Sequence, residues 1–312
     1  MLRLIIDTDT AGDDTTALML AMKSGGAKVE AITINCGNVA FDQQVENALY
    51  TVQVAGRDVP VYPGARRPLL RDWRTVEDVH GRDGMGDSFF PKATRRPERK
   101  NAVNAMVDLL NDSPGEITVV EQAPMTNLAL ALRTDPGIAK KVKRLYFMGG
   151  TNQALGNVTP AAEYNIWADP DAAKIVLHSG IPTTMVGWEI CVRHGMLGPG
   201  ELDEISGFGT EESRFFTAVN RVARRFVRET MGVDAVSCPD SITMAMVLDR
   251  GIVEDSHDRY VDVDNESELS RGATYVDHYG VLKKAPNVEV VYRASERGFK
   301  AMLFRMLRGE SF

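Results

Sequence analysis

Short apolar runs rich in Ile, Val and Leu alternate along this chain with longer segments whose apolar residues recur at helical spacing. Leu2–Ile6, Lys28–Asn35, Val59–Tyr62, Glu116–Val120, Val142–Met148 and Thr183–Val186 read as strands, being short, apolar and bounded by turn residues. Between them Thr15–Met22, Phe41–Ala55, Ala102–Leu110, Thr126–Leu132 and Ala172–His178 read as helices. Strand following helix in this order implies an α/β fold, Rossmann-like, with a mostly parallel central sheet and right-handed crossovers. After Val186 the alternation stops. Glu201–Met231 reads as a helical insert in the C-terminal half, with an apolar stripe of Phe215, Phe216, Val219, Val222 and Phe226 expected in the core or an interface. Arg221, Arg224, Arg225 and Arg228 on the same segment read as a solvated or intersubunit face. Val233–Asp240 reads as a loop into a helix Ser241–Leu248. Strand-like runs follow at Tyr260–Val263, Thr274–Asp277 and Val288–Tyr292, with a last helix at Phe299–Leu307. The chain carries no internal repeat and no linker-like stretch, so residues 1–312 are expected to form a single domain.

The polar positions that matter lie where strands finish. Behind the first strand comes Asp7-Thr8-Asp9-Thr10-Ala11-Gly12-Asp13-Asp14, four carboxylates within eight positions. Carboxylates crowded this closely repel one another unless a cation sits among them, and a hard divalent ion held by Asp9 and Asp14 is the simplest account. Asp13 taken alone reads equally well as a helix cap. An EF-hand loop starting at Asp7 fails, because Leu18 stands where its last carboxylate belongs. Further strand-to-helix junctions carry Asn38, Gln122 and, in one loop, Asn157, Glu163, Tyr164 and Asn165. In a parallel sheet such junctions share one edge and converge on one crevice. His80-Gly81-Arg82-Asp83-Gly84-Met85-Gly86 holds three glycines in seven residues and reads as a mobile loop able to cover a site.

Charge and composition narrow the chemistry. The net charge of −7 argues against a nucleic-acid backbone as partner. No apolar run approaches a membrane span, the chain opens directly on a strand, and Cys36, Cys191 and Cys238 are too scattered for a disulfide framework or zinc site. A cytoplasmic location without membrane contact is expected. The oxygen-rich inventory suits Ca²⁺ or Mg²⁺, and Asn and Glu beside Asp suit a polyhydroxylated substrate such as a sugar.

These motifs resemble the inosine/uridine-preferring nucleoside hydrolases. DTDTAGDD resembles that family's Asp-x-Asp-x-x-x-Asp-Asp opening, ITINCGNV its second-strand motif, and VHGRDGMGD its flexible His-Gly loop. PMTNLALALR, FMGG, AAEYNIWADPDAA and PDSITMAMVLD match further blocks in the family's order. The resemblance implies hydrolysis of the N-glycosidic bond of a ribonucleoside to ribose and free base, in a homodimer or homotetramer. It implies Ca²⁺ held by Asp9, Asp14, Asp240 and the backbone carbonyl of Gln122, with Asp9 as general base toward water. It places Asp13, Asn38, Asn157, Glu163 and Asn165 on the ribose, Met148 beside them, and His80 in the loop closing over the base.

The chain departs from the family pattern in three places. Thr10-Ala11 replaces the usual Pro-Gly, Glu121-Gln122-Ala123 replaces a small Gly-containing block, and Cys238-Pro239 stands where other members carry a His before the last Asp. That His protonates the leaving base, so Cys238 enters as its tentative substitute or as a small buried hydrophobe. Two alternatives remain at this stage. One is a Ca²⁺-stabilised nucleoside-binding protein without turnover; the other is a phosphoaspartyl phosphatase with Asp7 as nucleophile.

Overall fold

The computed structural model describes residues 1–153 and 155–312. Eight strands form the central sheet: β1 (Leu2–Thr8), β2 (Ala27–Ile34), β3 (Val61–Pro63), β4 (Ile117–Gln122), β5 (Arg144–Met148), β6 (Thr183–Val186), β7 (Val253–Arg259) and β8 (Val288–Ala294). Their spatial order is β3-β2-β1-β4-β5-β6-β8-β7, and every pairing is parallel except β8 with β7. The mostly parallel sheet expected from the alternating pattern is present. Its two faces are covered by different helices because side chains alternate along each strand. Leu4 and Ile6 of β1 join the cluster under the helices Asp13–Lys23, Phe41–Val54, Pro239–Leu248 and Glu296–Leu307. Ile5 points the other way, into the cluster under Ala102–Asp112, Thr126–Thr134 and Pro170–Leu177.

The order has one consequence for function. The chain lays β2 and β3 on one side of β1, then crosses to build β4, β5 and β6 on the other. The connections leaving the carboxyl ends of β1 and β4 therefore run in opposite directions and leave a crevice between them. Asp9 follows β1 directly, and Gln122 ends β4.

The helical insert comprises three helices, Pro199–Gly207, Glu211–Val219 and Arg221–Met231. The run Thr274–Asp277 and the preceding Tyr260–Val263 do not join the main sheet; Val261–Val263 pairs with Thr274–Val276 as a separate antiparallel ribbon. One sheet strand escaped the pattern. Val253–Arg259 is Val-Glu-Asp-Ser-His-Asp-Arg, a polar edge strand with no apolar run to announce it. No helix among the described residues is long and apolar enough to cross a membrane.

Candidate active site

The carboxyl edge of the sheet opens into a cleft of about 290 Å³. Asp14, Asn38, Gln122, Met148, Asn157, Glu163, Asn165 and Asp240 line its inner end, so residues scattered over more than two hundred positions meet there. Asp9 lies just beneath this floor, with no exposed surface. Its Oδ2 accepts the Asn38 N–H at 2.9 Å, whereas its Oδ1 is buried without a partner. Close approach of the Asn38 turn demands glycine at position 37, where a Cβ would stand 1.8 Å from Asp9 Oδ2. Asp14 is held by the Thr8 hydroxyl at 2.6 Å and the Ala11 N–H at 3.2 Å. Asp240 Oδ1 is also buried and unpartnered.

The floor is strongly electronegative. The largest charge effects on Asp240 come from acidic groups, namely Asp14, Asp13, Asp9 and Glu163. Burial, followed by this mutual repulsion, holds Asp9 and Asp240 well above the usual carboxylate range. Burial likewise raises Asp14 to about 7 against the pull of the Thr8 hydroxyl. Among the described residues no group of three or more His, Cys, Asp or Glu side chains is arranged to hold a metal ion by itself.

Asp13 does not cap its own helix, whose N-cap is Gly12. Its Oδ2 instead accepts the backbone N–H groups of Asp240 at 2.7 Å and Ser241 at 2.9 Å, and its Oδ1 accepts the Ser241 hydroxyl. It thereby caps the helix Pro239–Leu248 and fixes Asp240 relative to Asp14. Glu163 caps the short helix Tyr164–Ala168 through the N–H groups of Asn165 and Ile166, and also accepts from Gly150 at 2.9 Å. Burial raises its carboxyl to about 7. Asn157 Oδ1 accepts the Tyr164 N–H, and Asn165 Nδ2 donates to the Met148 carbonyl at 3.1 Å.

The outer end of the cleft has a different character. Trp188, Ala223, Phe226, Val227 and Met231 face Arg74, Val76, Asp78, Val79 and His80 across it. Phe226 therefore departs from its expected role: the other four residues of the Phe stripe are in the core, while Phe226 lines the cleft. The His80 loop is tethered at several points. Gly12 N–H donates to Gly84 O at 2.8 Å, Asn47 Nδ2 to Asp83 O at 2.8 Å, and Arg221 donates to Gly86 O from Nη2 at 2.7 Å. The short helix Glu77–His80 opens it, tied to the Asn38 turn by the Val76 N–H. His80 is half-buried, and its enclosed Nδ1 packs over Gly12, where a Cβ would stand 2.7 Å from it and where the φ of +44° also favours glycine. Burial lowers its pKa to about 4, so the ring is neutral near pH 7.

Two sequence expectations are corrected here. Cys238 does not line the cleft; its thiol is fully buried and raised well above the usual range by burial and then by the Asp13 charge. It is not placed to deliver a proton to a leaving base. Asp7 is likewise no nucleophile. It lies beneath the site, accepting from Thr33 at 2.6 Å, Asn127 at 2.8 Å and Asn35 at 3.2 Å, and so stitches β1 to β2 and to the helix Thr126–Thr134. The contributions of Trp188, Phe226, Val227 and Met231 to the cleft escaped sequence reasoning, because an apolar helical position carries the same signal whether it meets the core or a ligand.

Known proteins agree with this geometry. The family model described as inosine-uridine preferring nucleoside hydrolase matches residues 4–301. The chain is 33% identical over 311 residues to the pyrimidine-specific ribonucleoside hydrolase RihA of Enterobacter sp. (strain 638), covering 98% of this chain and 97% of that protein. Among solved structures, a plant nucleoside hydrolase, the PpNRh1 enzyme, superposes with a TM-score of 0.94 at 30% identity, covering 98% of this chain and 99% of the other. A purine-preferring ribonucleoside hydrolase from Gardnerella vaginalis gives 0.91 at 28% identity, with 98% of each chain covered. A sheet whose carboxyl edge gathers the paired-Asp opening, the Glu-x-Asn block and the last Asp around one cleft, together with these matches, places the chain in the inosine-uridine preferring nucleoside hydrolase family as a nucleoside hydrolase.

Proposed function

We propose that the protein hydrolyses the N-glycosidic bond of ribonucleosides with a Ca²⁺ ion held at the floor of the cleft. One observation carries the reading: among the described residues Asp9 Oδ1 and Asp240 Oδ1 are buried without partners in a cluster of carboxylates. Buried oxygens of this kind are costly unless a cation satisfies them, and an all-oxygen set suits Ca²⁺. Asp9, Asp14, Asp240 and the backbone carbonyl of Gln122 would hold it. Water and substrate hydroxyls would supply the remaining oxygens. The ion supplies Lewis acidity, acidifying water and orienting the sugar diol.

The chain's own groups perform the remaining tasks. Asp9 Oδ1, whose other oxygen is fixed by Asn38, takes the proton from the attacking water as that water bonds to the anomeric carbon. The C–N bond pair leaves with the base. Asn38, Asn157, Glu163 and Asn165 hold the ribose hydroxyls, since Glu163 keeps lone pairs beyond those its backbone donors occupy. Asp13 acts chiefly by positioning Asp240. The outer end receives the base between Phe226, Val227 and Met231 on one side and Val76, Val79 and His80 on the other. The neutral His80 and the averted Cys238 leave no group there matched to protonating the base at neutral pH. A base that departs as a stable anion is favoured, which ranks uridine ahead of cytidine.

Ribose release from uridine, cytidine, inosine and adenosine, by the native protein and by Asp9→Ala, with Ca²⁺ and after chelation, tests the proposal. Release that requires both Asp9 and the ion supports it. Saturable nucleoside binding without release of base overturns it in favour of a binding protein.

A further inference from the structure

A second cavity, of about 410 Å³, lies beside the cleft within the helical insert. Its floor is apolar, made by Leu202, Phe216 and Val236, and three guanidinium groups, Arg214, Arg221 and Arg224, stand around it. Only Arg224 is neutralised, by Asp234 at 2.7 and 2.8 Å. Arg214 and Arg221 form no salt bridge among the described residues; their hydrogen bonds go to carbonyl oxygens, Gly209 O for Arg214 and Gly86 O and Asp87 O for Arg221. Arg221 spends Nε–H and Nη2 on that loop and leaves both hydrogens of Nη1 unused. In a chain of net charge −7, two arginines without a salt bridge among the described residues, at the mouth of an apolar cavity, form a local positive site.

We propose that this cavity binds a small organic anion, a phosphomonoester with an apolar body, and that occupancy tightens the loop carrying His80. The phosphate takes hydrogen bonds from Arg214 and from Arg221 Nη1, and the apolar body rests on Phe216 and Val236. Fixing the Arg221 guanidinium from its free side holds its other nitrogens on Gly86 O and Asp87 O. The anion and a closed loop thereby favour each other, and the coupling is reciprocal. Recognition at this cavity is independent of the reaction proposed for the cleft.

Phenyl phosphate is the probe, titrated calorimetrically into the Ca²⁺-loaded protein, with phenol as the uncharged control and hydrogen exchange of Gly81–Phe89 as the second readout. The expected result is millimolar or tighter binding of phenyl phosphate, none of phenol, a loss of about tenfold or more in Arg214→Gln, and slower exchange in the loop on binding. Arg214 is exposed and outside the cleft, so the variant folds and keeps its basal activity. Absence of binding overturns the site. Binding that survives Arg214→Gln overturns it too, since the phosphate then sits elsewhere, including on the cleft's ion. Binding lost in Arg214→Gln but without any change in loop exchange overturns the coupling.

Discussion

The two ends of the cleft are built on opposite principles. At the inner end nearly every polar atom is assigned: Asp14 to Thr8 and Ala11, Asp13 to Asp240 and Ser241, and Glu163 to Gly150 and Asn165. Among the described residues the unassigned atoms there include Asp9 Oδ1 and Asp240 Oδ1, the atoms proposed to meet the ion, and the side-chain amide of Gln122. At the outer end apolar side chains from Arg221–Met231 face a tethered loop, and shape takes the place of directed hydrogen bonds. Chemistry that must be placed to a fraction of an ångström sits on strand ends and helix caps, while recognition that tolerates different bases sits on a helix face and a loop. Breaking the inner end should therefore cost far more than altering the outer one.

The largest effect is expected at Asp9. Asp9→Ala removes the base and one ion ligand, and kcat/KM should fall by about a thousandfold or more. Steady-state ribose release checks this. A loss under tenfold would mean that another group takes the water's proton.

The next prediction concerns stability in the absence of the ion. Asp7 and Asp13 lie at about 6, and Asp14 and Glu163 at about 7, all raised chiefly by burial above their ordinary values near 4. Groups that hold protons more tightly when folded stabilise the protein fully below their unfolded pKa, and that contribution is lost as pH rises through the folded values. The Tm of chelated protein should thus fall by several degrees between pH 5 and pH 8. Ca²⁺ competes with protons for the same oxygens, so it should restore Tm at pH 8 and add little at pH 5. An equal fall with and without Ca²⁺ would separate the acidic cluster from ion binding.

Asp13→Ala comes third. It removes three hydrogen bonds from the start of the helix Pro239–Leu248, which should lower stability by about 1–3 kcal/mol and weaken Ca²⁺ affinity through a displaced Asp240. Denaturation with Ca²⁺ titration measures both. Asp13→Asn should retain more of the stability than of the affinity.

The same contrast decides what was legible in the sequence. The paired-Asp opening follows an apolar strand and precedes a helical run, so the carboxylates, their edge of the sheet and the fold could all be placed from local pattern. The partner of Asp13 lies 227 positions away, and no local signal separates a carboxylate that caps its own helix from one that caps another. Likewise Phe226 shares its spacing with Phe215, Phe216, Val219 and Val222, yet it alone of the five lines the cleft. The polar edge strand Val253–Arg259 was invisible because only one of its neighbours is a strand and its side chains face water.

The smallest effect is expected at Cys238, where sequence and geometry pull apart most directly. Its place in the chain, two residues before the last Asp, suggests a stand-in for the proton donor of other family members. Its place in the structure is within the apolar cluster beneath the cleft, its thiol held protonated by burial and by the Asp13 charge. A donor must reach the departing base, and this thiol is separated from it by Pro239 and Asp240, which do line the cleft. Cys238→Ala should therefore leave the kcat for every nucleoside within about threefold of the native value, well short of the loss a general acid brings, while costing about 1 kcal/mol of stability for the small void. A drop of a hundredfold confined to nucleosides with poor leaving bases would show that the thiol reaches the base after all, and would place a general acid beneath the floor of the cleft.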